Sequence, residues 1–290
     1  MTKPEKLEST HLFVIGAQKS ATTWIQHLFD WHKDYFWVPS LLQEIHFFDR
    51  EYEKKHVDKY VNLYSNAPGN KITCDVTPDY LSEPNVAERI HEASKEMNRN
   101  FKFILSCREP VSRLKSAFVM KKRKGKDISL NAALDKNSDL FQKGRYFTHL
   151  QRWLKYFDKE QFFIFILDDL KEQKSSLLED LSSFLDISGC LKDPYQGRRV
   201  NPGGLRKLRF VNKILSLGGD VLRIFGLNRL LHMIKRSRLA QSVYGVNRKE
   251  YKFTSEENEV LKELKEIYRP EVYNMSDFLN RPDIPEKWNY

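Results

Sequence analysis

Short apolar runs rich in branched and aromatic residues alternate along this chain with longer segments whose apolar positions recur at helical spacing. The runs predict strands at residues 12–15, 101–107 and 162–167, with a weaker one at 71–76. Short strands separated by helices are typical of a parallel sheet that is covered on both faces. The predicted fold class is therefore α/β, with a central parallel sheet flanked by helices.

The segments with helical spacing predict six helices. Their limits are residues 22–32, 85–98, 110–124, 147–157, 174–185 and 256–268. The last helix begins with a capping box formed by Thr254 and Glu257, and Pro270 is expected to end it. The sequence contains no internal repeat, and its length of 290 residues favours a single domain, residues 1–290.

A glycine-led loop follows the first predicted strand. Residues 16–23 read Gly-Ala-Gln-Lys-Ser-Ala-Thr-Thr and lead into the first predicted helix. The backbone N–H groups of such a turn and of the helix N terminus point at a common anion. The loop is not a Walker A motif, because Lys19 stands three residues before Thr22 rather than directly before a Ser or Thr.

This phosphate loop (residues 16–23) offers one lysine charge, two threonine hydroxyls and several backbone donors. The predicted binding residues are Lys19, Ser20, Ala21, Thr22 and Thr23. The alternative is an ordinary strand-to-helix turn in which the threonines only cap the helix.

Three further motifs follow the phosphate loop in the sequence. They read Glu-Ile-His-Phe-Phe-Asp at residues 44–49, Thr-Pro-Asp-Tyr at 77–80, and Cys-Arg-Glu-Pro-Val-Ser-Arg at 107–113 with a serine at 116. With the loop, and in this order, they resemble sulfotransferases that use 3′-phosphoadenosine 5′-phosphosulfate (PAPS). The resemblance is to the heparan sulfate 3-O-sulfotransferases and their bacterial relatives, and it extends from about residue 12 to residue 268. It implies a P-loop-like nucleotide-binding fold.

The resemblance implies in-line transfer of a sulfuryl group from PAPS to an acceptor hydroxyl. Lys19 would stabilise the charge that develops on the oxygen between sulfur and the 5′-phosphate. Glu44 would take the proton of the attacking hydroxyl as general base. His46 would orient the acceptor or stabilise charge on the transferred group, unless it is only structural. Asp49 would hold either His46 or a backbone turn. The implied catalytic residues are therefore Glu44, Lys19 and His46.

The resemblance also implies a second phosphate site on the nucleotide. Arg108 offers a planar, bidentate partner for the 3′-phosphate. Ser116 follows about two helical turns later and can approach the same face. Arg206 and Lys207 lie in a stretch that loosely resembles the family's late basic loop over the nucleotide, and Arg113 is a further candidate.

One departure from the family pattern bears on the identity of the acceptor. Val76 stands where the animal heparan sulfate enzymes have a lysine that faces the active site, so a charge is missing unless another residue supplies it. The resemblance favours a glycan or glycolipid hydroxyl, with a small-molecule alcohol or phenol as the alternative. A P-loop kinase-like transferase would need a Gly-Lys-Ser/Thr sequence, which this chain lacks.

Charge narrows the choice of partners. The net charge is +10, and residues 205–239 hold nine Lys or Arg against one acid, Asp220, interleaved with apolar residues. This pattern predicts a basic amphipathic helical segment at about 205–248 that faces solvent, an acidic acceptor or an anionic membrane surface. The basic residues are otherwise spread and form no known nucleic-acid motif, so no nucleic acid partner is expected. The oligomeric state stays open.

Cysteine spacing and hydropathy bear on metals and location. The three cysteines, Cys74, Cys107 and Cys190, give neither a disulfide framework nor a metal-binding pattern, so no metal is expected. No apolar run reaches the roughly 20 residues of a membrane span, and residues 1–10 lack the apolar stretch of a signal peptide. Since the family's Golgi members begin with a membrane anchor, we expect a cytoplasmic, bacterial enzyme, with peripheral membrane contact left open.

Overall fold

A five-stranded parallel sheet forms the centre of the molecule. The computed structural model describes residues 10–39, 44–50, 52–97, 99–193, 205–206 and 248–290. The strands are β1 Thr10–Gly16, β2 Phe36–Trp37, β3 Ile72–Val76, β4 Asn100–Cys107 and β5 Phe162–Ile166. They lie in the order β2-β3-β1-β4-β5, and every neighbouring pair is parallel. The carboxyl ends of β1, β3 and β4 therefore share one edge of the sheet, the usual place for a ligand in such folds.

Helices connect these strands and continue beyond them. They are α1 Thr22–Trp31, α2 Val57–Asn62, α3 Val86–Met97, α4 Pro110–Arg123, α5 Asp139–Gln142, α6 Tyr146–Trp153, α7 Leu167–Glu172, α8 Lys174–Phe184, α9 Ser255–Leu279 and α10 Asp283–Lys287. Short 3₁₀ helices occupy Lys54–His56, Leu130–Ala133 and Lys159–Gln161. Within the described ranges, no helix combines the length and apolarity needed to cross a membrane.

The core has a layer on each face of the sheet, as the two-residue period of β1 requires. Phe13 and Ile15 pack in one apolar cluster with residues of α3 and α6. Leu12 and Val14 pack in a second cluster with α1 and α8. All four side chains are fully buried. A third cluster is formed by α4, α5 and α9.

The predicted fold class and the four predicted strands are confirmed, since each strand limit differs by at most two residues. The predicted end of the last helix is wrong, because α9 continues through Pro270 to Leu279. Proline removes one backbone donor from a helix. However, Tyr268, Val272 and Met275 are buried on both sides of it, so packing outweighs the lost bond. The capping box at Thr254 and Glu257 is confirmed.

The predicted basic helical segment at about 205–248 is described only at its two ends. There Leu205–Arg206 (β6) pairs antiparallel with Arg248–Lys249 (β7), so both ends are strands rather than helix. Cross-strand pairing satisfies the backbone donors and acceptors that a helix would pair internally. The rest of the segment, including Lys207, lies outside the described residues.

Candidate functional site

The phosphate loop connects the end of β1 to the start of α1 in a tightly held turn. Lys19 and Ala21 have positive φ angles of 75° and 69°. The Ala17 N–H donates to the carbonyl of Ser106 at 2.8 Å, and the Ser106 hydroxyl donates to the Ser20 carbonyl. These bonds anchor the loop to β4. Among the described residues, no side chain caps the N terminus of α1, so the N–H groups of Thr22 and Thr23 are available to an anion.

Gly16 is required by the close approach of the chain that follows β3. A Cβ atom on Gly16 would lie 3.0 Å from Leu81 Cβ and 3.2 Å from the Pro78 carbonyl oxygen. The Leu81 N–H also donates to the Ile15 carbonyl at 2.9 Å. The phosphate loop and the Thr77–Leu81 turn are therefore packed directly against each other.

Replacing Ala21 by glycine is expected to raise the free energy of unfolding by about 0.5–1 kcal/mol. A left-handed conformation costs an L-residue roughly 1–2 kcal/mol, and glycine does not have this strain. Part of the gain is lost, because glycine also gives the unfolded chain more conformational entropy. Urea unfolding at fixed temperature measures the change. Ala132→Gly is the control, since Ala132 is exposed in a 3₁₀ helix and has no positive φ, so this change is expected to be mildly destabilising. A loss of stability in Ala21→Gly would contradict the strain argument.

Positive charges converge on Lys19. Burial, followed by the charge of neighbouring arginines and lysines, lowers the pKa of Lys19 to about 8. Those neighbours are Arg123, Arg108, Lys124 and Arg113. The Arg108 guanidinium donates to the Lys19 carbonyl at 3.4 Å, and burial lowers the pKa of Arg108 as well. Cations that repel one another in a partly desolvated place form a site for an anion.

The other described residues that are predicted to bind the nucleotide lie on α4 and β6. Ser116 is half-buried on α4, the helix that begins two residues after Arg108. Arg113 is fully buried on the same helix and donates to the Leu140 carbonyl. Arg206 is placed by its backbone in β6, opposite Arg248.

The segment of residues 44–49, here called the acid–histidine segment, forms a second polar group. His46 Nε2 lies 2.9 Å from a Glu44 oxygen, and His46 Nδ1 lies 2.8 Å from an Asp49 oxygen. The Glu44 side chain is 47% exposed, whereas that of Asp49 is 3% exposed. Glu44 is thus the member that an incoming molecule can reach.

Both ring nitrogens of His46 face carboxylates, Nε2 that of Glu44 and Nδ1 that of Asp49. An imidazole offers one hydrogen-bonding atom at each nitrogen, so the two acids together hold the ring in one orientation.

A buried carboxylate at the end of β3 anchors the acid–histidine segment. Asp75 accepts from the Thr77 hydroxyl at 2.7 Å and from the Tyr80 hydroxyl at 3.1 Å. Those hydroxyls in turn accept from the backbone N–H groups of Ile45, at 3.1 Å, and Phe48, at 3.4 Å. Burial raises the pKa of Asp75 to about 6, against the lowering effect of its hydroxyl donors. Sequence reasoning missed Asp75, although an acid inside a buried apolar strand is a signal in itself.

Asp79 lies between the phosphate loop and the acid–histidine segment. One of its carboxylate oxygens accepts from Lys143 Nζ at 2.8 Å and from Gln18 Nε2 at 3.1 Å. The other lies 3.5 Å from Arg50 Nη2. Lys143 thus places a cation here, and Val76, where relatives were expected to carry one, is itself buried. Neither Asp79 nor Lys143 was singled out by the sequence.

A metal ion fits these residues poorly. Glu44, His46 and Asp79 bring one candidate ligand atom each to within 4.8 Å of one another. However, Asp79 already pairs with Lys143, and both nitrogens of His46 already face acids. A cation would have to displace these partners before it could bind.

Known relatives are found among the heparan sulfate sulfotransferases. The chain is 30% identical over 188 residues to heparan sulfate glucosamine 3-O-sulfotransferase 5 of Mus musculus, which covers 60% of this chain and 52% of that protein. It is 26% identical over 193 residues to bifunctional heparan sulfate N-deacetylase/N-sulfotransferase 1 of Caenorhabditis elegans, over 61% of this chain and 22% of that protein. The chain spans about half the length of the first of these relatives and less of the second.

The chain is also similar to a solved structure and matches a family model. A sulfotransferase from Alicyclobacillus acidocaldarius superposes with a TM-score of 0.52 at 21% identity, over 76% of this chain and 95% of that one. At this identity the likeness shows a shared fold. The sulfotransferase domain family model matches residues 9–194, a span that includes the phosphate loop, the acid–histidine segment, Arg108 and Ser116. Because this match covers more than half of the chain, the protein belongs to the sulfotransferase domain family.

Proposed function

We propose that this protein transfers a sulfuryl group from PAPS to an acceptor hydroxyl, with a glycan or glycolipid as the favoured acceptor. One observation carries the proposal. Lys19 and Arg108 follow the carboxyl ends of β1 and β4, and the backbone of the acid–histidine segment donates to Thr77 at the end of β3. Asp79 accepts from Gln18, next to Lys19, and one of its oxygens lies within 4.8 Å of Glu44. An anion site beside a base is what sulfuryl transfer to an alcohol requires. Family membership supports the same reaction.

Lys19 acts on the donor side. As the S–O bond to the 5′-phosphate breaks, negative charge grows on the oxygen that leaves with the nucleotide. An ammonium group at that oxygen stabilises the transition state more than the bound donor. The loop backbone and the hydroxyls of Thr22 and Thr23 hold the 5′-phosphate, while Arg108 and Ser116 hold the 3′-phosphate. The product nucleotide is adenosine 3′,5′-bisphosphate (PAP).

Glu44 acts on the acceptor side. The acceptor oxygen attacks sulfur opposite the leaving oxygen, and its proton passes to the Glu44 carboxylate as the new O–S bond forms. His46 lies 2.9 Å from that carboxylate and orients it, and Asp49 holds His46 from the other side. The products are the sulfate ester, PAP and one proton, which leaves through Glu44 to solvent.

A transfer screen tests the proposal directly. Purified protein is incubated with ³⁵S-PAPS and with extracted glycans, lipids and small metabolites, and labelled products are separated by class. Label in a glycan or glycolipid fraction supports the favoured acceptor, and label in an alcohol or phenol assigns the alternative. Absence of PAPS binding and of transfer to every fraction would refute the proposed function.

Arg108→Ala is expected to reduce the preference of the protein for PAP over AMP. The loss should be about 1.5–3 kcal/mol, the range for hydrogen bonds to a charged group. The reason is that only PAP carries a 3′-phosphate for Arg108. Isothermal calorimetry with both nucleotides measures the preference, and Arg145→Ala serves as an arginine control, since Arg145 pairs with Glu271 instead. Equal affinity of the unmodified protein for PAP and AMP would contradict the 3′-phosphate site.

A further inference from the structure

Asp79 occupies a position that joins the two halves of the candidate site. It accepts from Gln18, which lies inside the phosphate loop directly before Lys19, and from Lys143, which follows α5. The side chains of Asp79 and Lys143 are only 12% and 11% exposed. An ion pair at this burial is far less screened than a surface pair and fixes the positions of both partners.

The charge of Asp79 bears directly on the Glu44–His46–Asp49 array. A carboxylate oxygen of Asp79 lies within 4.8 Å of both Glu44 and His46. Left alone, it would be a third negative charge beside the group that accepts the proton. Lys143 offsets it. Burial by itself would lower the pKa of Lys143, but the carboxylates of Asp79 and Asp139 outweigh burial and raise that pKa, so the ammonium remains charged.

Other charged groups surround this pair and set the background. They are Asp49 and Arg50 after His46, Glu83 after Asp79, Asp139 from α5, and Lys121 from α4. Lys121 pairs with Asp139 at 2.9 Å, whereas Lys143 reaches both Asp139 and Asp79. Lys143 is therefore a buried lysine that pairs with Asp79. Lys121 lies nearby and pairs with Asp139 but does not pair with Asp79.

We propose that Asp79 and Lys143 form a positioning pair, which ties the phosphate loop to the acid–histidine segment through Gln18 and sets the charge beside Glu44. The proposal rests on the proposed function in one respect, the identity of Glu44 as the base. Removing Lys143 leaves Asp79 paired with Arg50, whose side chain is 60% exposed and better screened by solvent, and makes Glu44 more basic. Removing the charge of Asp79 has the opposite effect. Removing both restores the original balance.

A cycle of variants tests this by the pH dependence of kcat/KM. Lys143→Met is expected to move the acid limb of the profile up by about one pH unit, since a charge within about 4–6 Å shifts titration by one unit or more. Asp79→Asn, which keeps the shape and one acceptor oxygen, is expected to move the limb down by a similar amount. The double variant should return to within a few tenths of a unit of the unmodified protein. Lys121→Met is the matched control and should leave the limb in place.

Two results would overturn the proposal. One is a limb that shifts equally in Lys143→Met and Lys121→Met. The other is a double variant whose rate falls by the product of the two single losses at every pH, because that is the behaviour of two independent structural defects.

A second measurement separates this proposal from the proposed function. The His46 ring is titrated by NMR in the free protein, with its signal assigned by loss in His46→Gln, so neither donor nor acceptor is needed. Lys143→Met should raise the midpoint of the His46 titration by about one pH unit, and Asp79→Asn should lower it. A shift of the His46 midpoint in a protein that shows no sulfuryl transfer would support the charge coupling and refute the proposed function. Transfer with no shift in either variant would refute the positioning pair.

Discussion

Glu44→Gln is expected to lower kcat by about 10²–10⁴-fold while leaving the affinity for PAP within about twofold. The hydroxyl of an alcohol must lose its proton as it attacks, and an amide of the same shape cannot accept that proton. The Glu44 carboxylate is the exposed member of its array, so it is the one that an acceptor can reach. Steady-state kinetics with the acceptor from the transfer screen, together with calorimetry of PAP, measure the two effects.

The rival base in the same array is His46. If His46 took the proton, His46→Gln would be the more damaging of the two changes, and Glu44→Gln would retain more than about a tenth of kcat. Glu53→Gln is a control acid, because Glu53 is exposed and pairs with Lys55 away from this array. Activity should also fall on acidification, as a carboxylate base becomes protonated.

Lys19→Ala is expected to lower kcat by about 10²–10³-fold, the cost of losing one preorganised partner of a developing negative charge. Affinity for PAP should fall much less, because the loop backbone and Arg108 remain. The charge of Lys19 matters most when the leaving oxygen becomes negative. A variant that lost affinity but kept kcat would show that Lys19 only binds the donor.

The lowered pKa of Lys19 adds a pH dependence that can be measured without an acceptor. In the free protein its pKa is about 8, so the ammonium fraction falls as the pH rises above this value. The bound bisphosphate favours the ammonium form and raises that pKa, so binding must take up a proton at high pH. PAP affinity should therefore drop roughly tenfold between pH 7 and pH 9.

Lys19→Arg is the matched variant for this titration. Arginine keeps its charge across the same window. Its PAP affinity should be almost constant from pH 7 to pH 9, even if it is lower overall. An equal drop in the unmodified protein and in Lys19→Arg would assign the pH dependence to another group.

The strands and the phosphate loop could be predicted because their signals are local in sequence. The uninterrupted apolar run at residues 12–15 is short and is followed at once by the glycine-led loop, which together indicate a strand buried on both faces. The end of α9 could not be predicted in this way. Proline at 270 is a strong local stop signal, but the burial of Tyr268 and Val272 depends on helices far away in the chain.

In the candidate site too, residues in local sequence motifs could be predicted and residues that act through long-range contacts could not. Lys19, Glu44, His46 and Arg108 stand in recognisable motifs. Lys19 and Arg108 follow the ends of β1 and β4, and His46, with Glu44 beside it, contacts Thr77 after β3. Asp79 and Lys143 are separated by 64 residues, and their contact forms only when the residue after α5 meets the turn after β3 in the folded chain. Asp75 likewise acts through hydroxyls that only the folded chain brings together. Long-range pairing of this kind leaves no pattern in a single sequence.

The hydrogen-bond register between β1 and β3 also fixes the spacing between the two loops that follow these strands. Phe13 lies opposite Asp75 and Val14 opposite Val76, and the phosphate loop and the Thr77–Asp79 turn begin within two residues of these pairs. A slip of one residue would move one loop about 3.3 Å past the other. Misplacement of about 1 Å can already cost a hundredfold in rate. In the proposed reaction, changes to the loops can therefore alter what is bound, whereas the distance between donor and acceptor follows from the pairing of two buried strands.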